Sequence, residues 1–150
     1  MRTKLFPGDY VKSIYRIDFK ELSKQGYKAM LFDVDNTLVD HGAPADDRAK
    51  RFFKYLRNLR PDLPVLMLTM PYADFSNEKI QERRAIIART WLNAFEAGDR
   101  NVEFLDGETF FAGSELRENC SSDCCHQNDL GEHMMAERIA DRLKRMLPED

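Results

Sequence analysis

The chain has 150 residues, the length of one compact domain. Hydrophobic residues make up 43% and charged residues 33%, enough for a globular core and inconsistent with global disorder. Its 23 basic and 26 acidic side chains give a net charge of −3, which argues against the strongly basic surface of a general nucleic-acid binder. No apolar run approaches the ~18 residues of a membrane span. Met1 to Asp9 carries no apolar stretch of the kind that a secretory signal needs. The three cysteines, Cys120, Cys124 and Cys125, are odd in number and clustered, unlike a disulfide framework. The expectation is a cytoplasmic protein that contacts neither membrane nor nucleic acid.

Taken in chain order, short apolar runs alternate with longer amphipathic stretches. Phe19 to Gln25 reads as a helix that Gly26 can cap. Ala29-Met30-Leu31-Phe32-Asp33 reads as a buried parallel strand, followed by the polar turn Asp35-Asn36-Thr37. From Asp46 to Leu59, the residues Ala49, Phe52, Phe53, Leu56 and Leu59 recur at helical spacing, and Pro61 and Pro64 stop the helix. Val65 to Thr69 is the second strand. Ser76 is the expected N-cap of the next helix, whose apolar face is Ile80, Ile87, Trp91 and Ala94-Phe95, with Gly98 ending it. Val102 to Asp106 is the third strand.

A long loop then runs from about Glu108 to Asn128, a length that favours a functional or mobile segment. The last helix begins near Asp129, paired with Glu132 in a capping-box-like arrangement, and buries Met135, Ile139, Leu143 and Met146-Leu147. This order predicts βαβ units: a small α/β domain with a doubly wound, Rossmann-like or flavodoxin-like parallel sheet in a three-layer α/β/α arrangement. Three strands leave open edges, so homodimerisation through an edge is one expected assembly. Asp33, Thr69 and Asp106 each end a strand, at the rim where open α/β sheets bind ligands.

Asp33-Val34-Asp35-Asn36-Thr37 is the sharper constellation. A carboxylate leaving a strand end can attack phosphorus, and a second one two residues on can protonate the leaving oxygen. Two carboxylates this close repel unless a cation sits between them, and Mg²⁺ suits oxygen ligands together with phosphate. Residues from about Phe6 to Leu59, including FPGDYVKSIYRIDF and LFDVDNTLVDHGAPAD, closely resemble the N-terminal third of bacterial subfamily IIIA phosphatases of the haloacid dehalogenase superfamily.

That resemblance implies Asp33 as nucleophile and Asp35 as acid/base, with Mg²⁺ held by the Asp33 side chain and the Asp35 carbonyl. It also implies a small phosphorylated substrate. Thr69 has the context of the family's second motif, a phosphate ligand. Lys79 and Arg84 are available for the third, without a recognisable motif around them; Lys79 is the substrate-binding candidate. For the fourth, Asp106 has the strand-end context without the glycine-aspartate pattern, and it is the third metal-ligand candidate. His41, eight residues after Asp33, reads as an exposed loop residue near the phosphate rim.

The chain from about Arg60 to Leu147 is similar to something else. PDLPVLMLTMPYADFSNEKIQERRAII, RNVEFLDGETFF and DCCHQNDLGEHMMAERI resemble the C-terminal half of an SGNH (GDSL-type) esterase. Asp123 and His126 match that family's D-x-x-H block, with His126 as base and Asp123 as its orienting carboxylate. The family's G-D-S serine has no counterpart here, since Gly8-Asp9-Tyr10 carries tyrosine in that position. Both parent folds are α/β, and the two halves, 1–59 and 60–150, meet between a helix and a strand. The readings are therefore a Mg²⁺-dependent phosphatase, a serine esterase whose nucleophile is unidentified, and a folded non-catalytic hybrid. A zinc reading of the cysteines with His126 and His133 has atypical spacing.

Overall fold

The computed structural model describes residues 9–71, 78–123 and 126–147. Among the described residues, four α-helices and a two-stranded parallel sheet make a mixed α and β architecture. The chain divides into two compact units, Met1–Pro61 and Asp62–Asp150. No helix among the described residues is long and apolar enough to cross a membrane.

Unit 1 is built on two helices with side-chain caps. In α1 (Phe19–Lys24) the Asp18 carboxylate accepts the Glu21 N–H at 2.9 Å. The helix ends in the paired bonds of a Schellman motif: Tyr27 N–H to the Leu22 carbonyl and Gly26 N–H to that of Ser23. Gly26 sits at φ +88°, a left-handed conformation that a side chain would disfavour. In α2 (Asp47–Leu59) the Asp46 carboxylate accepts the Ala49 N–H at 2.7 Å. Phe52 of α2 is the centre of the core. Its ring meets Tyr15, Phe19 and Phe32 edge-on, with centroids 5.2, 5.3 and 6.0 Å away. Phe53, expected on the buried face, is largely exposed.

The predicted first strand is not a strand. Ala29–Asp33 joins no ladder, and its side chains alternate: Met30 and Phe32 pack on the Phe52 core, whereas Leu31 is 72% exposed. That alternation is the mark of an extended segment with one face on a core. A strand buried on both faces needs neighbours, and among the described residues of unit 1 the only bridge is the isolated one between Asp35 and Val39. The expected three-stranded sheet is thus reduced to two strands.

Unit 2 holds those strands. β1 (Val65–Leu68) and β2 (Val102–Leu105) pair in parallel, Val65 opposite Val102 and Leu68 opposite Leu105. Between them runs α3 (Glu78–Glu96), as a parallel connection requires. The Ser76 cap expected for α3 lies outside the described residues. Trp91 of α3 stacks on Phe104 of β2 at 5.8 Å. A second Schellman motif closes the helix: Asp99 N–H bonds the Ala94 carbonyl and Gly98 N–H that of Phe95.

The predicted long loop is instead packed. It folds through two 3₁₀ turns, Gly107–Thr109 and Arg117–Asn119, and buries Phe110, Phe111 and Cys120. Around these lie Leu68, Leu105 and the Leu130, Met134, Met135 and Ile139 side chains of α4 (Asp129–Met146).

The N-cap of α4 is Asn128, one residue before the expected Asp129. Its Oδ1 accepts from the Leu130 and Gly131 N–H groups, both at 3.1 Å, while its Nδ2 donates to the Asn119 carbonyl at 2.7 Å. One side chain thereby starts the helix and ties it to the preceding turn. Arg142 further along α4 pairs with Glu103 of β2 at 3.0 Å. Gly131 is pressed against the backbone, where an added Cβ would lie 2.4 Å from the Cys120 carbonyl oxygen. Gly131→Ala is therefore expected to destabilise unit 2 by about 1–3 kcal/mol through overpacking. Asn128→Ala is expected to cost about 1 kcal/mol through loss of the cap. Urea titration of each variant against the parent chain checks both.

Candidate functional site

Three groups of candidate residues are assembled, one in unit 1 and two in unit 2. In unit 1 the aspartate motif is a tight hydrogen-bonded turn. The Val34 carbonyl accepts from the N–H groups of Thr37, Leu38 and Val39. Leu38 is buried and anchors the turn to the Phe52 core, and the Tyr15 hydroxyl donates to its carbonyl at 2.6 Å. Asn36 adopts φ +58°, which its short polar side chain tolerates.

Asp33 is exposed, with Oδ1 accepting the Val34 N–H at 2.8 Å. Asp35 is half-buried, and the returning chain meets both of its carboxylate oxygens. Gly42 N–H reaches Oδ1 at 3.2 Å and the His41 ring Nδ1 reaches Oδ2 at 3.2 Å. Thr37 holds the turn through its backbone N–H.

In unit 2 the ends of β1 and β2 are joined by one carboxylate. Arg84 of α3 grips Asp106 through Nε, 2.9 Å from Oδ1 and 3.1 Å from Oδ2, and through Nη2 on Oδ2. The same Nη2 lies 2.6 Å from Glu108 Oε2. The Thr69 hydroxyl donates to Asp106 Oδ1 at 3.1 Å and accepts the Gly107 N–H at 2.6 Å. Thr69 is only 4% exposed, so its hydroxyl is committed inward.

Gly107 fits because it has no side chain: a Cβ would overlap the Met70 carbonyl oxygen, 1.8 Å away. The Arg84 hydrogen bonds hold the Asp106 carboxyl below its ordinary range against the opposing effect of burial. The Glu108 N–H, the Arg84 charge and the Thr69 hydroxyl lower it further. Arg84 is raised in turn by its bond to Asp106.

Thr69 and Asp106 are thus brought together, as their strand-end positions predicted, but around Arg84. Lys79, the substrate-binding candidate, is exposed in the first turn of α3. Asp33 and Asp35 belong to unit 1 and Asp106 to unit 2. Among the described residues no group of three or more His, Cys, Asp and Glu side chains is arranged to hold a metal ion. Arg84 carries its own sequence signal: it falls between Ile80 and Ile87 on the apolar face of α3, where a charge needs a partner.

The third group is the D-x-x-H block. His126 Nδ1 lies 2.7 Å from Asp123 Oδ2, and the His126 N–H donates to Asp123 Oδ1 at 2.7 Å. Asp123 therefore meets both the ring and the backbone of His126. Ser121 lies 2.6 Å from the His126 carbonyl oxygen and 3.2 Å from Asp123 Oδ1, on the carboxylate side of the pair. Cys124 and Cys125 lie outside the described residues, and Cys120 is buried with its sulfur 3.5 Å from that of Met134.

No protein-family model, no curated protein and no solved structure matches the chain.

The Asp106 pair makes a pH-dependent contribution to stability. Because the folded carboxyl titrates below the unfolded one, its contribution is complete above the ordinary carboxylate range near pH ~4. It is lost as pH falls through the folded value. Asp106→Asn is expected to remove about 2 kcal/mol at neutral pH, the scale of a charge-assisted hydrogen bond. The variant should also lose less stability than the parent chain on acidification. Urea midpoints at neutral and acid pH measure both effects.

Proposed function

We propose that the chain is a phosphomonoester hydrolase working through an aspartyl-phosphate at Asp33. The observation that carries this reading is the turn itself: an exposed Asp33 carboxylate two residues before a half-buried Asp35 whose Oδ1 accepts the Gly42 N–H at 3.2 Å. The sequence resemblance of residues 6–59 to subfamily IIIA phosphatases supports it. An Asp33 oxygen attacks phosphorus, the bond to the ester oxygen breaks, and that oxygen takes a proton from Asp35. Asp35 then removes a proton from the water that attacks the aspartyl-phosphate, and inorganic phosphate leaves with the Asp33 carboxylate restored.

The donor set suits Mg²⁺, which takes hard oxygen ligands and is commonly bound by one or two carboxylates plus substrate phosphate. Asp33 and the Asp35 carbonyl are the residues proposed to hold it, and its chemistry there is to neutralise the phosphoryl charge. Asp106 belongs to unit 2, where Arg84 already occupies its carboxylate, and this reading does not draw on it.

A second reading has its own observation. The Asp123–His126 contact at 2.7 Å is the base and orienting pair of an SGNH-type esterase. It requires a serine that approaches the far ring nitrogen. The fold expectation that accompanies both readings is a Rossmann-like sheet with helices on both sides. It is supported by adjacent residues of β2: Phe104 meets Trp91 of α3, whereas Leu105 packs in the cluster that includes α4.

The phosphatase reading predicts hydrolysis of a generic aryl phosphate that needs Mg²⁺ and stops with EDTA. Asp33→Asn should fall to the uncatalysed rate and Asp35→Asn should lose about 100-fold or more. Circular dichroism confirms that each variant is folded. An Asp33→Asn rate equal to the parent's overturns the reading, and no activity in folded protein favours the non-catalytic alternative.

A further inference from the structure

We infer that the outer face of α2 is a docking surface for single-stranded nucleic acid. One side of the helix is spent on the core: Ala49 and Phe52 are buried, and Leu56 and Leu59 pack against the Phe52 cluster. At about 100° per residue, the opposite side carries Lys50, Arg51 and Lys54 as one stripe. All three are exposed. Phe53 and Tyr55 flank the stripe, one on each side, and are 44% and 45% exposed. Phe53 keeps an edge on the core, its ring centroid 5.8 Å from that of Phe52.

The stripe has little to neutralise it within its own helix. The one acidic residue of α2 is Asp47 in the first turn, 3.6 Å from Lys50. Arg51 and Lys54 stand three residues apart and Lys50 and Lys54 four, spacings at which like charges weaken a helix. A bound anion relieves that repulsion. The charge of the whole chain conceals the pattern. Met1–Pro61 carries thirteen basic and eight acidic residues, whereas Asp62–Asp150 carries ten and eighteen. The net charge of −3 averages a basic unit with an acidic one.

The two rings decide the class of partner. Cations in a row match a phosphate backbone, and exposed rings beside them are platforms on which bases stack. A bilayer asks for an apolar face to insert, and that face of α2 already lies on the Phe52 core. An acidic peptide matches the charge but brings no base to the rings.

The test titrates the full chain into fluorescein-labelled oligothymidylate and, separately, oligouridylate, reading anisotropy at several salt concentrations. Binding of either is expected, weakening as salt rises. Lys50→Gln/Arg51→Gln/Lys54→Gln is expected to lower the slope of log affinity against log salt by about 2, at ~0.7 per phosphate contact. Lys54→Gln alone is expected to lower it by about 0.7. Glutamine is a good helix former, and circular dichroism confirms that each variant is folded. Tyr55→Ala is expected to weaken binding about 10-fold with the slope unchanged, and Tyr55→Phe to bind as the parent does. No binding at low salt, or binding that the lysine and arginine substitutions leave unchanged, overturns the assignment. Parent-like binding by Tyr55→Ala overturns it in favour of a surface for any polyanion, as does equal binding of polyglutamate or of phosphatidylserine vesicles.

Discussion

The Asp106 carboxylate organises the end of the sheet in unit 2. β1 and β2 share only four paired positions, too few to hold a two-stranded ribbon without further support. Asp106 extends the pairing beyond the last rung by joining Thr69 at the end of β1, Arg84 in the middle of α3 and the 3₁₀ turn after β2. A guanidinium bound to two carboxylates near an apolar face is costly to desolvate, and it persists where the hydrogen bonds are complete. Gly107 shows how tight the junction is, since the chain passes the Met70 carbonyl with no room for a methyl group. The residues that a sheet rim would offer to a ligand are here spent on the rim itself.

Unit 1 has a different constraint. Among the described residues of unit 1, the buried apolar side chains are Phe19, Leu38, Ala49 and Phe52, a small core. Edge-to-face aromatic packing around Phe52 compensates in part, each such contact adding about 0.5–1.5 kcal/mol beyond burial. The aspartate turn is tied to this core through Leu38, so the geometry around Asp33 and Asp35 depends on a few rings some distance along the chain. Helix capping supplies the rest, from Asp18 and Asp46 at two N-termini and from the left-handed Gly26.

Much of this was legible from residue types alone. The positions of α1, α2, α3 and α4 follow from apolar spacing and capping residues, and β1 and β2 from short apolar runs that end in a polar side chain. The extended Met30–Phe32 segment was misread as a buried strand because apolar letters in a row do not reveal whether a neighbour exists. The loop after β2 was read as a loop, but its buried side chains were not legible. Its core is Phe110, Phe111 and Cys120, side by side or isolated in sequence, with no helical or alternating period to announce them. Asp123 and His126 were found by their resemblance to the D-x-x-H block of SGNH-type esterases. Arg84 was offered beside Lys79 for the third motif, whereas its place on an apolar face marked it for a carboxylate partner.

The aromatic stack on β2 has a consequence for observing the molecule. Trp91 is the only tryptophan in the chain, and it lies in unit 2 against Phe104 and Phe95. Four of the five tyrosines, Tyr10, Tyr15, Tyr27 and Tyr55, belong to unit 1, and the fifth, Tyr72, falls within the span of unit 2. Indole emission therefore reports one half of the molecule, while the ring environment of Tyr15 reports the other. The distribution of chromophores makes the chain its own two-colour gauge of whether its halves melt together or apart.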